Sequence, residues 1–355
     1  METSESLSAY KQNKSVKDRL RHHFLTWLRL TNQPVVKLYR GFGTNASLTV
    51  HGSVFRRSAL PRKTYRNSIF LNLFGLLRLF LVRPYPHATV RILAGDQLAE
   101  TQSDTDGYFR VDVPLTKSLS CGWHTVHAQL IAASSENVLN ECEGQVLVPP
   151  HTEFGCISDI DDTFLVSHSA TILKRLKVIL TRNAHSRQPF EGVVAHYQLL
   201  AEANSGSNAT NPFFYVSSSE WNLYDYILEF SKKNGLPEGV YLLSPLKQFS
   251  EVFKTGQGKH MTKFARIVRI LEAYPNQRFI LLGDDTQEDP NIYAALVRHF
   301  PERIVAVYIR QVHGKNEPKT RDILREVEVA GVPICYFAHS ADARKHSLEL
   351  GLIAT

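Results

Sequence analysis

Cysteine is scarce in this chain, with four residues among 355, and Cys121, Cys142, Cys156 and Cys335 form no C-x-x-C pair. That spacing argues against a metal-thiolate centre and makes buried free thiols the expectation, with one bridge, Cys121 to Cys142, left open. Low-complexity bulk is also missing, since 43% of the residues are hydrophobic and 21% charged. The amino-terminal residues are polar and then basic, with no apolar segment of the secretory-signal type, so a reducing cytoplasm is the expected compartment. The histidines have no metal-ligand spacing. Gly256-Gln257-Gly258-Lys259 lacks the following hydroxyl and the nearby strand of a phosphate-binding loop. What the chain has in excess is positive charge, a net +7. That balance implies an anionic partner, but no nucleic-acid motif accompanies it, which leaves a membrane surface or a phosphorylated substrate.

Residues 1–34 form a basic segment predicted to be helical. Lys14, Lys17, Arg19, Arg21 and Arg29 surround Leu20, Phe24, Leu25, Trp27 and Leu28, and Pro34 ends the helix. It either packs on the body of the protein or lies on an anionic membrane. From 35 to 150 the period shortens. Runs such as Ala88-Thr89-Val90-Arg91-Ile92-Leu93, separated by turn signals such as Asp104-Thr105-Asp106-Gly107, predict an antiparallel β-sandwich. Ile69 to Val82 interrupts it as an apolar helical insert, too short to span a bilayer core of ~30 Å. From 151 to 355 strand-like and helix-like stretches alternate, which predicts a parallel sheet with helices on both faces. Ala170 to Asn204 reads as a helical, basic insert.

In such a sheet, ligands bind beyond the carboxyl ends of the strands. The strand at Phe154 to Ile157 leads into Asp159, Asp161, Asp162 and Thr163. The strand ending at Val216 leads into Ser217, Ser218 and Ser219, and the one ending at Leu282 into Gly283, Asp284, Asp285 and Asp289. Lys254, Lys259 and Lys263 precede the third strand. Crowded carboxylates repel one another unless a cation or proton is shared, so the first stretch points to a metal or acid/base site. Its competing reading, taken alone, is an Asp-rich turn capping a helix. Three polar strand ends aimed at one crevice favour the site.

These motifs resemble those of the haloacid dehalogenase superfamily, and the chain is most similar to the actin-patch-protein family of phosphatidate phosphatases, relatives of the lipins. Tyr39-Arg40-Gly41-Phe42-Gly43-Thr44, Phe214-Tyr215-Val216-Ser217-Ser218-Ser219 and Trp221-Asn222-Leu223-Tyr224 carry the resemblance together with the acidic stretches. It implies a haloacid-dehalogenase-like domain over 151–355 with a small helical cap near 168–205. It also implies Asp159 as nucleophile, Asp161 as general acid and base, Ser217 on a phosphoryl oxygen and Lys263 as the catalytic lysine. Lys259 is the alternative lysine, since the two stand four apart. Thr163, Ser218, Lys259 and Arg187 are implied near the substrate. Asp159, Asp161, Asp284 and Asp289 are implied around Mg²⁺. Glu220 and Asp285 depart from the family pattern and are expected to add negative charge near the site.

The expected activity is Mg²⁺-dependent hydrolysis of phosphatidate to diacylglycerol and phosphate, by a cytoplasmic protein peripheral to a membrane. Two alternatives stand beside it: a soluble phosphatase acting on small phosphomonoesters or phosphoproteins, and a phosphatidic-acid binding module without catalysis.

Overall fold

The computed structural model describes residues 30–31, 33–59, 82–160, 192–203, 209–244 and 258–354. The expected helix over most of 1–34, the apolar insert at 69–82 and the greater part of the cap near 168–205 lie outside the described residues.

Alternating apolar residues form strands because every second side chain falls on one face. In the first half these are β1 (Leu30–Thr31), β2 (Val35–Leu38), β3 (Gly41–Gly43), β4 (Ser47–Ala59), β5 (Arg83–Pro84), β6 (Thr89–Ala94), β7 (Gln97–Gln102), β8 (Tyr108–Pro114), β9 (Gly122–Ile131) and β10 (Val138–Val148). They join in the order β1-β4-β3-β10-β9-β6-β7, with β2, β5 and β8 also paired to β4. The pairs are antiparallel except β3 with β10, so the expected antiparallel architecture is met with one parallel contact. Val50, Val54, Val90, Ile92, Val126 and Leu130 build its core. The Asp104 turn follows its sequence signal: Asp104 Oδ1 accepts from the amides of Asp106 and Tyr108, each at 2.9 Å. Gly107 closes the turn at φ 73°. A Cβ there would stand 2.5 Å from the Val54 carbonyl oxygen, so only glycine fits.

Two expectations are corrected. Leu30 and Thr31, assigned to the basic helix, pair antiparallel with Ala59 and Ser58, the far end of a long strand that offers them a ladder. All four cysteines are free; Cys121 is exposed and Cys142 half-buried, so the possible bridge does not form and only Cys156 is a fully buried thiol.

The second half forms a six-stranded parallel sheet: β11 (Phe154–Asp159), β12 (Phe213–Glu220), β13 (Gly239–Ser244), β14 (Arg278–Asp284), β15 (Ile304–Arg310) and β16 (Ile334–Phe337), ordered β13-β12-β11-β14-β15-β16. The helices are α1 (Val193–Glu202), α2 (Tyr224–Asn234), α3 (Gly258–Ala273), α4 (Asp289–His299), α5 (Glu317–Val329) and α6 (Ser340–Glu349). Strand residues sort by parity between two cores. Phe213 and Tyr215 face Leu200 of α1, Phe230 of α2 and Ala343 of α6. Phe214 and Val216 face Ile267 of α3, Leu296 of α4 and Leu324 of α5. Helices therefore flank both faces. The chain leaves β11 toward β12 on one side and returns to β14 on the other, so the order reverses at β11 and opens a crevice at its carboxyl end.

The two sheets meet through β2 and β3. Tyr39 stacks on Trp221, with ring centroids 4.1 Å apart and planes 13° apart, and Tyr108 stacks on the same indole at 5.6 Å. Lys37 pairs with Asp225 at 2.6 Å, Arg40 pairs with Glu238, and the Tyr274 hydroxyl donates to the Gly43 carbonyl at 3.0 Å. His51 is buried edge-on against Trp221. Its Nε2–H donates to the Arg40 carbonyl at 2.9 Å, so Nδ1 is left to accept from the Tyr108 hydroxyl at 3.3 Å.

Burial, opposed in part by the Arg40 carbonyl, pulls the His51 imidazole from 6.5 down to about 4. Between those values the unfolded chain binds the proton and the folded one does not. Stability present above pH 6.5 is therefore lost as the pH falls toward 4, by up to about 3 kcal/mol from this group. His196, pulled down to about 4 mainly by burial, acts in the same sense. Urea unfolding from pH 7 to 4.5 is expected to show a steeper acid loss for wild type than for His51→Gln. Parallel slopes would mean that His51 gains its proton without leaving the interface.

Candidate active site

The reversal of strand order delivers Asp159, Asp284 and Ser217. Asp159 ends β11, Asp284 ends β14, and Ser217 directly follows Val216, the register partner of Asp159 on β12. Apolar strand interiors fix the backbone up to those points, and polar side chains begin where the strands leave the core. Pro290 in the first turn of α4 suits a helix start, where its missing N–H leaves no bond unmade, and this sets Asp289 at the same crevice. Gly283 is required by crowding: a Cβ there would lie 2.7 Å from Asp289 Oδ2 and 2.8 Å from the Tyr293 ring.

Asp159, Asp284 and Asp289 are completely buried, and each offers a carboxylate oxygen within 4.8 Å of the others. Lys263 of α3 enters this cluster at 2% exposure. Its Nζ forms an ion pair with Asp159 Oδ1 at 2.7 Å and donates to Asp289 Oδ1. Burial alone would lower the lysine pKa, but attraction to Asp159 and Asp289 prevails and holds it above its ordinary 10.5, so it stays charged. Asp284 Oδ1 accepts from the Thr286 amide at 2.6 Å and its hydroxyl at 2.5 Å. Burial and then repulsion from Asp289 nevertheless push its carboxyl up to about 7. Among the described residues, three carboxylates face one ammonium and leave surplus negative charge in a buried site. A divalent cation bound by oxygen ligands fits that charge and that donor set.

Ser217 is buried, and its Oγ accepts from the Ser219 amide at 2.9 Å. The next hydroxyl is that of Ser218. Its Oγ donates to Gln287 Oε1 at 3.3 Å, and it lines a cleft of about 340 Å³ together with Thr286, Gln287 and Lys319. Asp161, Thr163 and Arg187 lie outside the described residues, as does the side chain of Lys259. Of the two candidate lysines, Lys263 is therefore the one found in contact with Asp159. Asp285 does not load the site with charge as expected. Its carboxylate accepts from the Val312 amide at 2.8 Å and the Tyr336 hydroxyl at 2.9 Å, which turns it toward the end of β15.

Sequence reasoning missed Arg266. It is 7% exposed and donates to the carbonyls of Ser217 and Leu242. Its spacing, one turn after Lys263 on the same helix face, was the available signal.

Residues 154–311 match the family model of the catalytic domain of phosphatidate phosphatase APP1, a span that begins at the first residue of β11 and ends just after β15. Over this span the chain is similar to that family. The APP1-type segment is 30% identical over 158 residues to phosphatidate phosphatase APP1 of Saccharomyces cerevisiae, a match covering 44% of this chain and 25% of that protein. An uncharacterized protein of Schizosaccharomyces pombe is 24% identical over 216 residues, 59% of this chain and 34% of that protein. The chain thus matches a quarter to a third of these curated relatives. Among solved structures, a carbohydrate acetylesterase from Xanthomonas citri aligns at 11% identity with a TM-score of 0.31, covering 89% of this chain and 74% of that one. That likeness is too low to inform the fold. Every site residue named here from Asp159 to Asp289 falls inside the APP1-type segment. Among the described residues, no helix is long and apolar enough to cross a membrane.

Proposed function

We propose that this chain is a Mg²⁺-dependent phosphatidate phosphatase, hydrolysing phosphatidate to diacylglycerol and phosphate through an aspartyl-phosphate. The observation that carries the reading is the buried set Asp159, Lys263, Asp284 and Asp289, gathered at one crevice of an APP1-type segment. Asp159 Oδ attacks phosphorus, forming an O–P bond as the bond from phosphorus to the glycerol oxygen breaks. The leaving alkoxide takes a proton from Asp161. In the second half Asp161 removes a proton from water, whose oxygen attacks phosphorus and releases Asp159 and inorganic phosphate. Ser217 donates a hydrogen bond to a phosphoryl oxygen. Lys263 sets positive charge beside the reacting oxygens and is itself held by Asp289.

Asp159, Asp161, Asp284 and Asp289 are the residues that would hold Mg²⁺. When bound, the ion neutralises the crowded carboxylates and shields the substrate's charge from the nucleophile. The parallel core is read as haloacid-dehalogenase-like, with a β-sandwich domain ahead of it, a boundary near 150 and a cap within 168–205. The net charge of +7 favours an anionic membrane surface as the place of work, with the protein peripheral to it on the cytoplasmic side.

Phosphate release from phosphatidate in mixed micelles, with and without Mg²⁺, tests this reading in wild type and Asp159→Asn. Release is expected from wild type only, only with metal, and the variant is expected to lose at least about a thousandfold. Turnover of a small phosphomonoester, abolished by Asp159→Asn, without release from lipid would keep the chemistry and discard the lipid substrate. No turnover of either would leave a binding module.

A further inference from the structure

Ser217 sits in a break in the sheet. β12 and β13 pair as far as Val216 with Leu242, and pairing resumes only at Glu220 with Ser244. Ser217, Ser218 and Ser219 therefore oppose the single residue Leu243, a bulge wide enough to leave backbone carbonyls without their ladder partners. Arg266 reaches into this break from α3. Nη1 donates to the Ser217 carbonyl at 2.7 Å and the Leu242 carbonyl at 3.0 Å, while Nη2 donates to Ser244 Oγ at 3.0 Å. Ser244 Oγ in turn donates to the Ser217 carbonyl at 3.5 Å. The guanidinium acts as a backbone staple.

We propose that Arg266 is a positioning residue that holds the Ser217–Ser219 bulge in the one geometry from which Ser217 can meet a phosphoryl oxygen. The inference rests on the phosphatase reading and adds to it a residue that acts through the Ser217 turn. The planar fork divides its bonds between two nitrogens, Nη1 bridging the Ser217 and Leu242 carbonyls and Nη2 holding Ser244 Oγ. A lysine brings one nitrogen at a different reach and loses the second arm of the fork. Because α3 carries both Lys263 and Arg266, the same helix sets the ammonium beside Asp159 and the serine turn opposite it.

The test is a double-mutant cycle of Arg266→Lys and Ser217→Ala in the full chain, read as kcat and KM with Mg²⁺ and phosphatidate micelles, with thermal melts of every variant. Arg266→Lys is expected to lower kcat/KM about tenfold to a hundredfold while melting in one cooperative step. In the Ser217→Ala background the same change is expected to cost less than about twofold, because the group it positions is already gone. Equal losses in both backgrounds overturn the positioning role and leave the phosphatase reading intact. Should Arg266→Lys not fold, Ser244→Ala removes one arm of the staple and is held to the same criterion. A wild type that turns over neither phosphatidate nor p-nitrophenyl phosphate overturns the phosphatase reading instead. Arg266 is then judged by calorimetric binding of inorganic phosphate. Binding weakened about tenfold by Arg266→Lys, and only where Ser217 is present, supports the staple. Binding that is absent from wild type, or unmoved by the substitution, overturns it.

Discussion

Replacing Lys263 with methionine is expected to destabilise the fold by about 3–5 kcal/mol, in addition to abolishing turnover. The side chains are similar in length, so little packing is lost; what disappears is the ammonium that, among the described residues, pairs with Asp159 and Asp289 beside Asp284. A buried carboxylate without a cation must be desolvated at full cost or take up a proton, and either route penalises the folded state. The cost is expected to fall when Mg²⁺ is added, since a cation among the same oxygens restores part of the compensation. Asp289→Asn is the control. It removes one of the repelling charges along with a partner of Lys263, leaves Asp159 to pair with the ammonium, and is expected to cost less. Urea unfolding of the three proteins, with EDTA and then with Mg²⁺, measures all of this. A loss below about 1 kcal/mol for Lys263→Met would show that the carboxylates are neutralised by some other means.

The sequence made the parallel half legible because its strands are short apolar runs that stop at polar residues. Phe154–Asp159, Phe213–Glu220 and Arg278–Asp284 each end in the chemistry they deliver, so strand assignment and site assignment came together. β16 and α6 escaped notice for the converse reason. Ile334, Cys335 and Tyr336 are only half-buried, and α6 buries just Ser340, Ala343 and Ser347, too small a set to stand out as an apolar face. Arg266 was hidden by its own residue type. A basic residue on an amphipathic helix reads as solvated, and what buries it is a bulge in β12 that no local pattern announces. Asp285 misled because adjacency in the chain suggested adjacency in the site. One residue past the strand end, the side chain turns toward the Val312 amide and the Tyr336 hydroxyl. Neither partner can be inferred from neighbours in the sequence.

The same distinction between local and long-range information governs the contact between the two sheets. Trp221 stands two residues beyond Ser219, yet its ring lies between Tyr39 and Tyr108 of the first half, with His51 on its edge. It is 3% exposed, so the indole belongs to the core joining the two halves. Trp221→Ala is expected to destabilise by about 3–5 kcal/mol through lost burial and the cavity left behind. It is also expected to weaken the coupling of the two halves enough to broaden a single cooperative unfolding or divide it into two steps. What remains is the Tyr274–Gly43 hydrogen bond, the packing of Phe42 on Phe214 and Tyr274, the Arg40 amide bond to the Tyr224 hydroxyl, and the water-exposed pairs Lys37 with Asp225 and Arg40 with Glu238. Activity should fall as well, because the indole anchors the residues that follow the Ser217–Ser219 bulge from the side opposite Arg266. Calorimetry and tryptophan-independent circular dichroism separate these effects. One sharp transition at nearly the wild-type temperature would mean that the β-rich half is only attached to the catalytic half. Two transitions, with phosphate release falling before the lower one is complete, would make the first half part of the support for the active-site turn.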